Sequence, residues 1–221
     1  MYRLKAYRAD LHIHTVLSPC ADLSMSPAYV FQKTKERKID IIAITDHQSV
    51  ANYPAFSNYS QQDTVVIPGL EITTAEDIHL LAYFPDYSAA NNFSQLIYQS
   101  IPMIQNRPEQ FGYQLIINEN EEIIKEEEKW LNQACGYSID DCIDIIHDYQ
   151  GIAVPAHIDK KRFSLFSQLG FLPSELKADG LEVFFKENLY KYPEKYGVIQ
   201  SSDAHSIELV GSKYCNLICE K

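Results

Sequence analysis

Strands alternating with helices along this chain predict an α/β layer or barrel architecture. Short apolar runs read as buried strands, and helix start signals fall between several of them. A third observation locates the chemistry: histidines and carboxylates gather where the strands end.

The first strand holds ADLHIHT, residues 9–15. Strand side chains alternate between faces, so Asp10, His12 and His14 are expected on one face and Leu11 and Ile13 on the other. Ser26-Pro27 opens a helix over 27–38, with serine as N-cap and proline at the first helical position. The runs IDIIAIT (39–45), TVVIPGLE (64–71) and DIHLLAYF (77–84) follow. Ile, Val and Leu without polar alternation favour strands covered on both faces, as in a parallel sheet.

From Pro85 to Tyr137 the composition turns polar, and the segment at about 85–137 reads as an insertion that shields a site. Within it QLIINENEEII (114–124) fits a hairpin with a polar tip, while Ile123, Ile124, Leu131 and Ala134 also fit a helix; both readings stand. The acidic run 118–130 reads as solvated surface. Ser138 then opens a helix to about residue 149, with Gly151 as a stop signal. GIAVPAH (151–157), DGLEVFF (179–185) and GVIQSS (197–202) complete the strands, with shorter helices over 162–169 and 187–195. No repeat and no second domain is visible, so one domain over 1–221 is expected.

With 221 residues the chain is long enough for one substantial core. Its formal net charge of −11 argues against a duplex nucleic-acid partner and leaves room for a small phosphorylated substrate held by a local charge such as a metal ion. Met1-Tyr2-Arg3 runs straight into the first strand without a leader pattern, and no apolar stretch approaches membrane-spanning length. Five cysteines at irregular spacing suit reduced thiols. A cytoplasmic protein without membrane contact is expected; its oligomeric state is not readable.

His12 and His14 end the first strand, Asp46 and His47 follow the second, Glu71 ends the third, His157 ends GIAVPAH, and Asp203 and His205 follow GVIQSS. Only His79 departs, standing early in its strand. Parallel strands present their C-terminal ends on one face, where barrel enzymes carry their active sites. Each residue alone has an ordinary reading: Asp46 as a helix cap, Glu71 as a paired core carboxylate, His157 as a packed ring. His147, inside an amphipathic helix, keeps that ordinary reading. Six of the seven histidines, five of them at strand ends, together with the strand-end carboxylates Glu71 and Asp203, are better explained together, as a metal site.

DLHIHT, ITDH, GLEIT with His79 downstream, PAH and SSDAH resemble, in this order, the motifs of the PHP (polymerase and histidinol phosphatase) family. The motifs span residues 10–205, in the manner of its small stand-alone phosphoesterases. The resemblance implies a distorted (β/α)7 TIM-like barrel, with up to three divalent ions (Zn, Mn or Fe) at the C-terminal ends of its strands. It implies nine metal ligands: His12, His14, Asp22, His47, Glu71, His79, His157, Asp203 and His205. Some members carry S-D-G close to the second histidine; this chain has Ser18-Pro19-Cys20 there, and Asp22 is the one acid nearby. The resemblance also groups the ligands: His12, His14, Glu71 and Asp203 around one ion, Glu71, His79 and His157 around a second, Asp22, His47 and His205 around a third. Asp10 and Asp46 are expected behind them, orienting imidazoles.

Imidazole mixed with carboxylate suits Zn, Mn or Fe in open sites. Zinc lowers the pKa of bound water from about 15.7 to about 7. The expected reaction is attack of a metal-bound hydroxide, held at Glu71, on a small phosphomonoester or short nucleotide phosphodiester. Lys160, Lys161 and Arg162 beyond His157, and Lys186 beyond DGLEVFF, are candidates for phosphate binding. Two other readings compete: an amidohydrolase-type metal hydrolase, which also begins with H-x-H, and a non-catalytic metal-binding regulatory domain.

Overall fold

The computed structural model describes residues 4–59 and 63–220. Met1-Tyr2-Arg3, read above as leading into the first strand, and both extremes of the expected 1–221 domain lie outside the described residues. The chain begins with β1 (Leu4–Ile13), α1 (Pro27–Arg37), β2 (Ile41–Ile44), α2 (Tyr53–Ser57), β3 (Val65–Thr73) and β4 (His79–Tyr83). It continues through α3 (Tyr87–Ser100), α4 (Pro108–Phe111), β5 (Leu115–Ile117), β6 (Ile123–Glu126) and α5 (Ile139–Asp148). β7 (Ile152–Pro155), α6 (Leu165–Leu169), β8 (Gly180–Glu182), β9 (Gly197–Ile199) and β10 (Cys215–Glu220) complete it.

Six strands form one sheet in the order β10-β1-β2-β3-β4-β7. β1, β2 and β3 are parallel, whereas β4 runs antiparallel to β3, and β7 antiparallel to β4. Two reversals return β7 to the direction of β3. The first reversal explains His79: it starts β4, opposite Thr73 near the end of β3, so its early position still lies at the C-terminal rim. The two strands approach closely at Gly69, where a Cβ would sit 2.8 Å from the Ala82 carbonyl oxygen.

The expected (β/α)7 barrel is corrected to an open, curled α/β sheet. β8 and β9 pair only with each other, because three residues each are too few to ladder with both neighbours. A few hydrogen bonds stitch them in: Asp179 N–H to Ala153 O (2.9 Å), Ile158 N–H to Glu182 O (2.9 Å), and beyond β9 the pair Ala204 N–H to His12 O (3.1 Å) and His14 N–H to Ala204 O (3.0 Å). The helices here are also brief. Helix 162–169 shortens to α6 behind its Ser164 cap, and 187–195 contributes only a 3₁₀ turn, Lys186–Asn188.

Elsewhere local signals hold. α1 starts with Ser26 extended and Pro27 at N1, and stops where Lys38 turns left-handed. α5 opens with a reciprocal Ser138–Asp141 capping box. In the polar segment the hairpin reading prevails, with β5 and β6 antiparallel around the tip 118–122. The segment also contains α3, unforeseen from composition, whose Asp86 cap accepts from Ala89 N–H at 2.9 Å. Phe93 and Ile97 on α3 pack with Leu70, Leu80 and Ile143. Fully buried side chains of this size contribute about 1.5–3 kcal/mol each. Val30 and Phe31 of α1 cover Ile42 and Ile44, while Ala43, Leu81 and Val154 cluster on the opposite face. Among the described residues no helix is long and apolar enough to cross a membrane.

One correction concerns β1 itself. Asp10 pairs with Ile42 but Ile13 with Ile44, so β1 carries one extra residue there. Such a bulge breaks strict alternation. Leu11 and Ile13, expected on one face, pack in different clusters.

Candidate metal centre

The C-terminal rim of the sheet brings six imidazoles and two carboxylates into one buried cluster. Glu71 lies at its middle. Its carboxylate oxygens stand 3.2 Å from His12 Nε2, 3.3 Å from His14 Nε2 and 3.2 Å from His47 Nδ1. They stand 2.8 Å from His79 Nδ1 and 3.3 Å from His157 Nε2. Asp203 Oδ1 lies 3.3 Å from His12 Nε2, 3.6 Å from His14 Nε2 and 3.5 Å from His205 Nδ1. The His14 and His205 rings stack with centroids 4.1 Å apart.

The approaches of His47 Nδ1 and His79 Nδ1 to Glu71 are not hydrogen bonds, and with His79 Nε2 and His157 Nδ1 these nitrogens are buried without a hydrogen-bond partner. Leaving a buried polar atom unpaired costs about 1–3 kcal/mol. The spacing has another meaning: ligand atoms bound at about 2.1 Å lie about 3.0 Å apart in an octahedron and about 3.4 Å apart in a tetrahedron. His12 Nε2 and His14 Nε2, 3.2 Å apart, have that edge length. The donor set therefore fits divalent cations. Three groups of atoms lie mutually within 4.8 Å: His12, His14 and Glu71; His47, Glu71 and His79; and His14, Cys20, His47 and His205.

Electrostatics tells the same story. Burial opposes ionisation of Glu71 and Asp203, yet the surrounding imidazoles hold both carboxyls well below the usual range. Burial likewise opposes charge on His12, but Glu182, Asp203 and Glu71 raise its pKa well above the ordinary value. His47 is driven well down by burial and by the facing rings of His14, His79 and His205, and His205 falls to about 4 by burial and His14. Neutral imidazole and ionised carboxylate are the ligand forms. Glu71, Asp203, His47 and His205 are thus biased toward them, whereas His12 and His14, both raised by the facing carboxylates, would release a proton as a cation binds. Strain gathers here too: His157 (φ 30°), Asp203 (φ 52°) and Gln48 (φ 55°) occupy left-handed backbone.

Behind the cluster stand residues that aim it. Glu182 Oε2 is 3.0 Å from His12 Nδ1 and accepts the His157 N–H at 2.9 Å. Asp46 accepts from Thr15 N–H (2.7 Å) and Ser18 O–H (2.6 Å), and Ser18 Oγ meets His14 Nδ1 at 2.9 Å. Asp46 thus reaches an imidazole only through Ser18. Asp10 reaches none: it accepts from Ser202 N–H (3.0 Å), Ser202 O–H (2.6 Å) and Gly211 N–H (2.7 Å), holding the chain that leads to Asp203. The bulge in β1 separates its role from that of His12.

A cavity of about 420 Å³ opens onto the cluster, lined by His79, His157 and His205 together with Asn132, Arg162 and Phe163. Lys160 and Lys161 also line it, and Lys160 Nζ pairs with Asp203. The Phe163 ring stacks on His79 at 4.8 Å. Lys186 lies apart, in the lining of a neighbouring cavity. Asp22 is exposed and joins none of the three groups. His147 is remote, 2.9 Å from Asp179. Sequence reading passes over Glu182, whose one signal is a carboxylate inside the apolar run DGLEVFF, and notes Ser18 and Cys20 only as standing where other members carry S-D-G.

The sequence pattern of the PHP domain matches residues 10–190. MJ1295, an uncharacterized protein of Methanocaldococcus jannaschii, is 28% identical over 156 residues, 70% of this chain and 61% of its own length. This chain thus spans less than two thirds of that relative. The lesion-specific endonuclease PfuEndoQ of Pyrococcus furiosus superposes with a TM-score of 0.69 at 16% identity, over 92% of this chain and 49% of that one. An endonuclease Q bound to a 27-mer duplex with an abasic lesion gives 0.66 at 16% identity, over 92% and 50%. A protein assigned as a metal-dependent phosphoesterase from Bifidobacterium adolescentis gives 0.62 at 17% identity, over 89% and 87%. The duplex complex corrects the expectation that duplex nucleic acid is excluded here. Net charge is a whole-chain sum, whereas contact is local and bound cations change the local sign.

Proposed function

The chain belongs to the PHP domain family, and from that membership we propose that it is a metal-dependent phosphoesterase acting on a phosphomonoester or a nucleotide phosphodiester. The observation that carries this reading is Glu71, one buried carboxylate with five imidazole nitrogens within 2.8–3.3 Å of its oxygens. His12, His14, Glu71 and Asp203 would hold one cation, Glu71, His79 and His157 a second, while His47 and His205 contribute to a third. Zn, Mn and Fe suit this donor set. When bound, such cations supply acidified water and positive charge facing the phosphoryl oxygens.

The remaining work falls to the chain's own side chains. Glu182 and Ser18 fix the rings of His12 and His14 so that Nε2 faces the cluster. Phe163, stacked on His79, forms part of one cavity wall. Lys160, Lys161 and Arg162 line the cavity and seat the substrate phosphate. Ser202 is unsuited as a nucleophile, since its hydroxyl donates to Asp10 at 2.6 Å. An amidohydrolase-type reading lacks its bridging lysine carbamate; Glu71 stands where that group would be.

Protein loaded with Mn or Zn should release p-nitrophenol from p-nitrophenyl phosphate or from bis-p-nitrophenyl phosphate, and His157→Ala should abolish it. Single-stranded and duplex oligonucleotides complete the substrate panel. Hydrolysis of dipeptides without phosphoester cleavage, or silence on every substrate, overturns the reading.

A further inference from the structure

We propose that Cys20 is a metal ligand, its thiolate joining His47 and His205 around a cation at the outer end of the centre. The inference rests on the metal-centre reading above and concerns the position where a carboxylate from Asp22 was expected. Asp22 contributes no ligand atom to any of the three groups, whereas Cys20, exposed like it, joins one. The backbone of Asp22 pins the turn, its N–H donating to His205 O at 2.8 Å and its carbonyl accepting from Met25 N–H at 2.9 Å.

The same turn delivers Cys20 instead. The bond from Asp22 to His205 ties the loop to the backbone of one candidate ligand, two residues from the thiol. On its other side the loop is backed by Gly112, at φ 97°, where any Cβ would fall 1.9 Å from the Pro19 carbonyl oxygen. Ala21 N–H closes onto Ser18 O at 3.0 Å, and Ser18 itself contacts His14. The loop is thus fixed at three points around Cys20. The sulfur lies within 4.8 Å of ligand atoms on His14, His47 and His205 and lines the same cavity. His47 is 2% exposed and its Nδ1, 3.2 Å from Glu71 Oε2, has no hydrogen bond, so its ring stands between the Glu71 group and the group that contains the thiol.

A thiolate changes which cation is held. Sulfur is a soft donor that favours zinc or cobalt(II), whereas a carboxylate accommodates manganese and magnesium. The proton leaves the thiol as the metal binds. This chain would therefore keep one zinc-selective position beside positions lined by imidazole and carboxylate alone.

Cobalt(II) reconstitution of the full chain tests the assignment without measuring turnover. Wild type should show a near-ultraviolet thiolate-to-cobalt charge-transfer band, and Cys20→Ser should lose the band together with about one ion per chain. Cys20→Asp should regain the ion without the band and should shift preference from zinc toward manganese. A band that persists in Cys20→Ser, or wild type that binds cobalt without a band, overturns the proposal and leaves the metal centre intact. Wild type that binds no divalent cation overturns both.

Discussion

Glu182 Oε2 lies 3.0 Å from His12 Nδ1, and the same oxygen accepts the backbone N–H of His157 at 2.9 Å. One buried carboxylate therefore positions two candidate ligands that arrive from different strands. Carboxylates in this position fix the ring tautomer and strengthen the ligand, and their loss typically lowers metal affinity about 10–100-fold. Glu182→Gln should do so in a metal titration, with activity recovering at high metal concentration. Unchanged affinity would reduce Glu182 to a packing role.

Without cations the cluster is in conflict with itself, for four of its buried ring nitrogens have no hydrogen bond. Metal binding should therefore stabilise the fold by mass action. At about 100 times Kd the gain is about 2.7 kcal/mol, which raises Tm by about 5–10 °C for a chain of this size. Chelation should reverse the shift, and His157→Ala should shrink it. His147→Ala should leave the shift unchanged, since its half-exposed pairing with Asp179 lies outside the cluster. A Tm indifferent to zinc and manganese would contradict the reading of the orphaned nitrogens.

Arg162 lines the cavity but forms no part of the ligand groups. A guanidinium placed there can bind phosphate through paired N–H donors. Losing a charge-assisted hydrogen bond costs about 1.5–3 kcal/mol. Arg162→Ala should raise KM for a phosphoester about 10–100-fold with little change in kcat. An unaltered KM would remove Arg162 from the substrate's path.

What was legible in the sequence follows from locality. Ser26-Pro27 and Ser138 with Asp141 mark helix starts because capping is decided within four residues. The strand-end histidines were legible because buried strands read as unbroken apolar runs with ligands at their tips. His79 looked out of place because strand direction is a tertiary property; only the antiparallel pairing of Thr73 with His79 resolves it. The bulge that sets Asp10 apart from His12 likewise appears only against β2. α3 hid because its exposed face dominates the composition, while only Ala90, Phe93, Ser94 and Ile97 are buried. Glu182 and Cys20 gain their meaning from neighbours 170 residues or more away in the chain, His12 and His205, so no window of sequence contains it.

Ser18 provides the last test, because one hydroxyl there meets three groups. It donates to Asp46 Oδ1 at 2.6 Å, meets His14 Nδ1 at 2.9 Å and accepts His47 N–H at 3.2 Å. With Ser18→Ala, Asp46 keeps its bonds from Thr15 but loses this donor, and both His14 Nδ1 and the His47 amide lose their acceptor inside the core. Each buried group left unpaired costs about 1–3 kcal/mol, so apo stability should fall by about 2–4 kcal/mol in a denaturant titration. The His14 ring should also lose its preferred tautomer, and metal affinity should fall with it. Ser18→Thr retains the hydroxyl and should recover affinity wherever its extra methyl is accommodated. If Ser18→Ala matches wild type in both measurements, then Asp46 does not act on His14 through this hydroxyl, and its burial serves only the turn at Thr15.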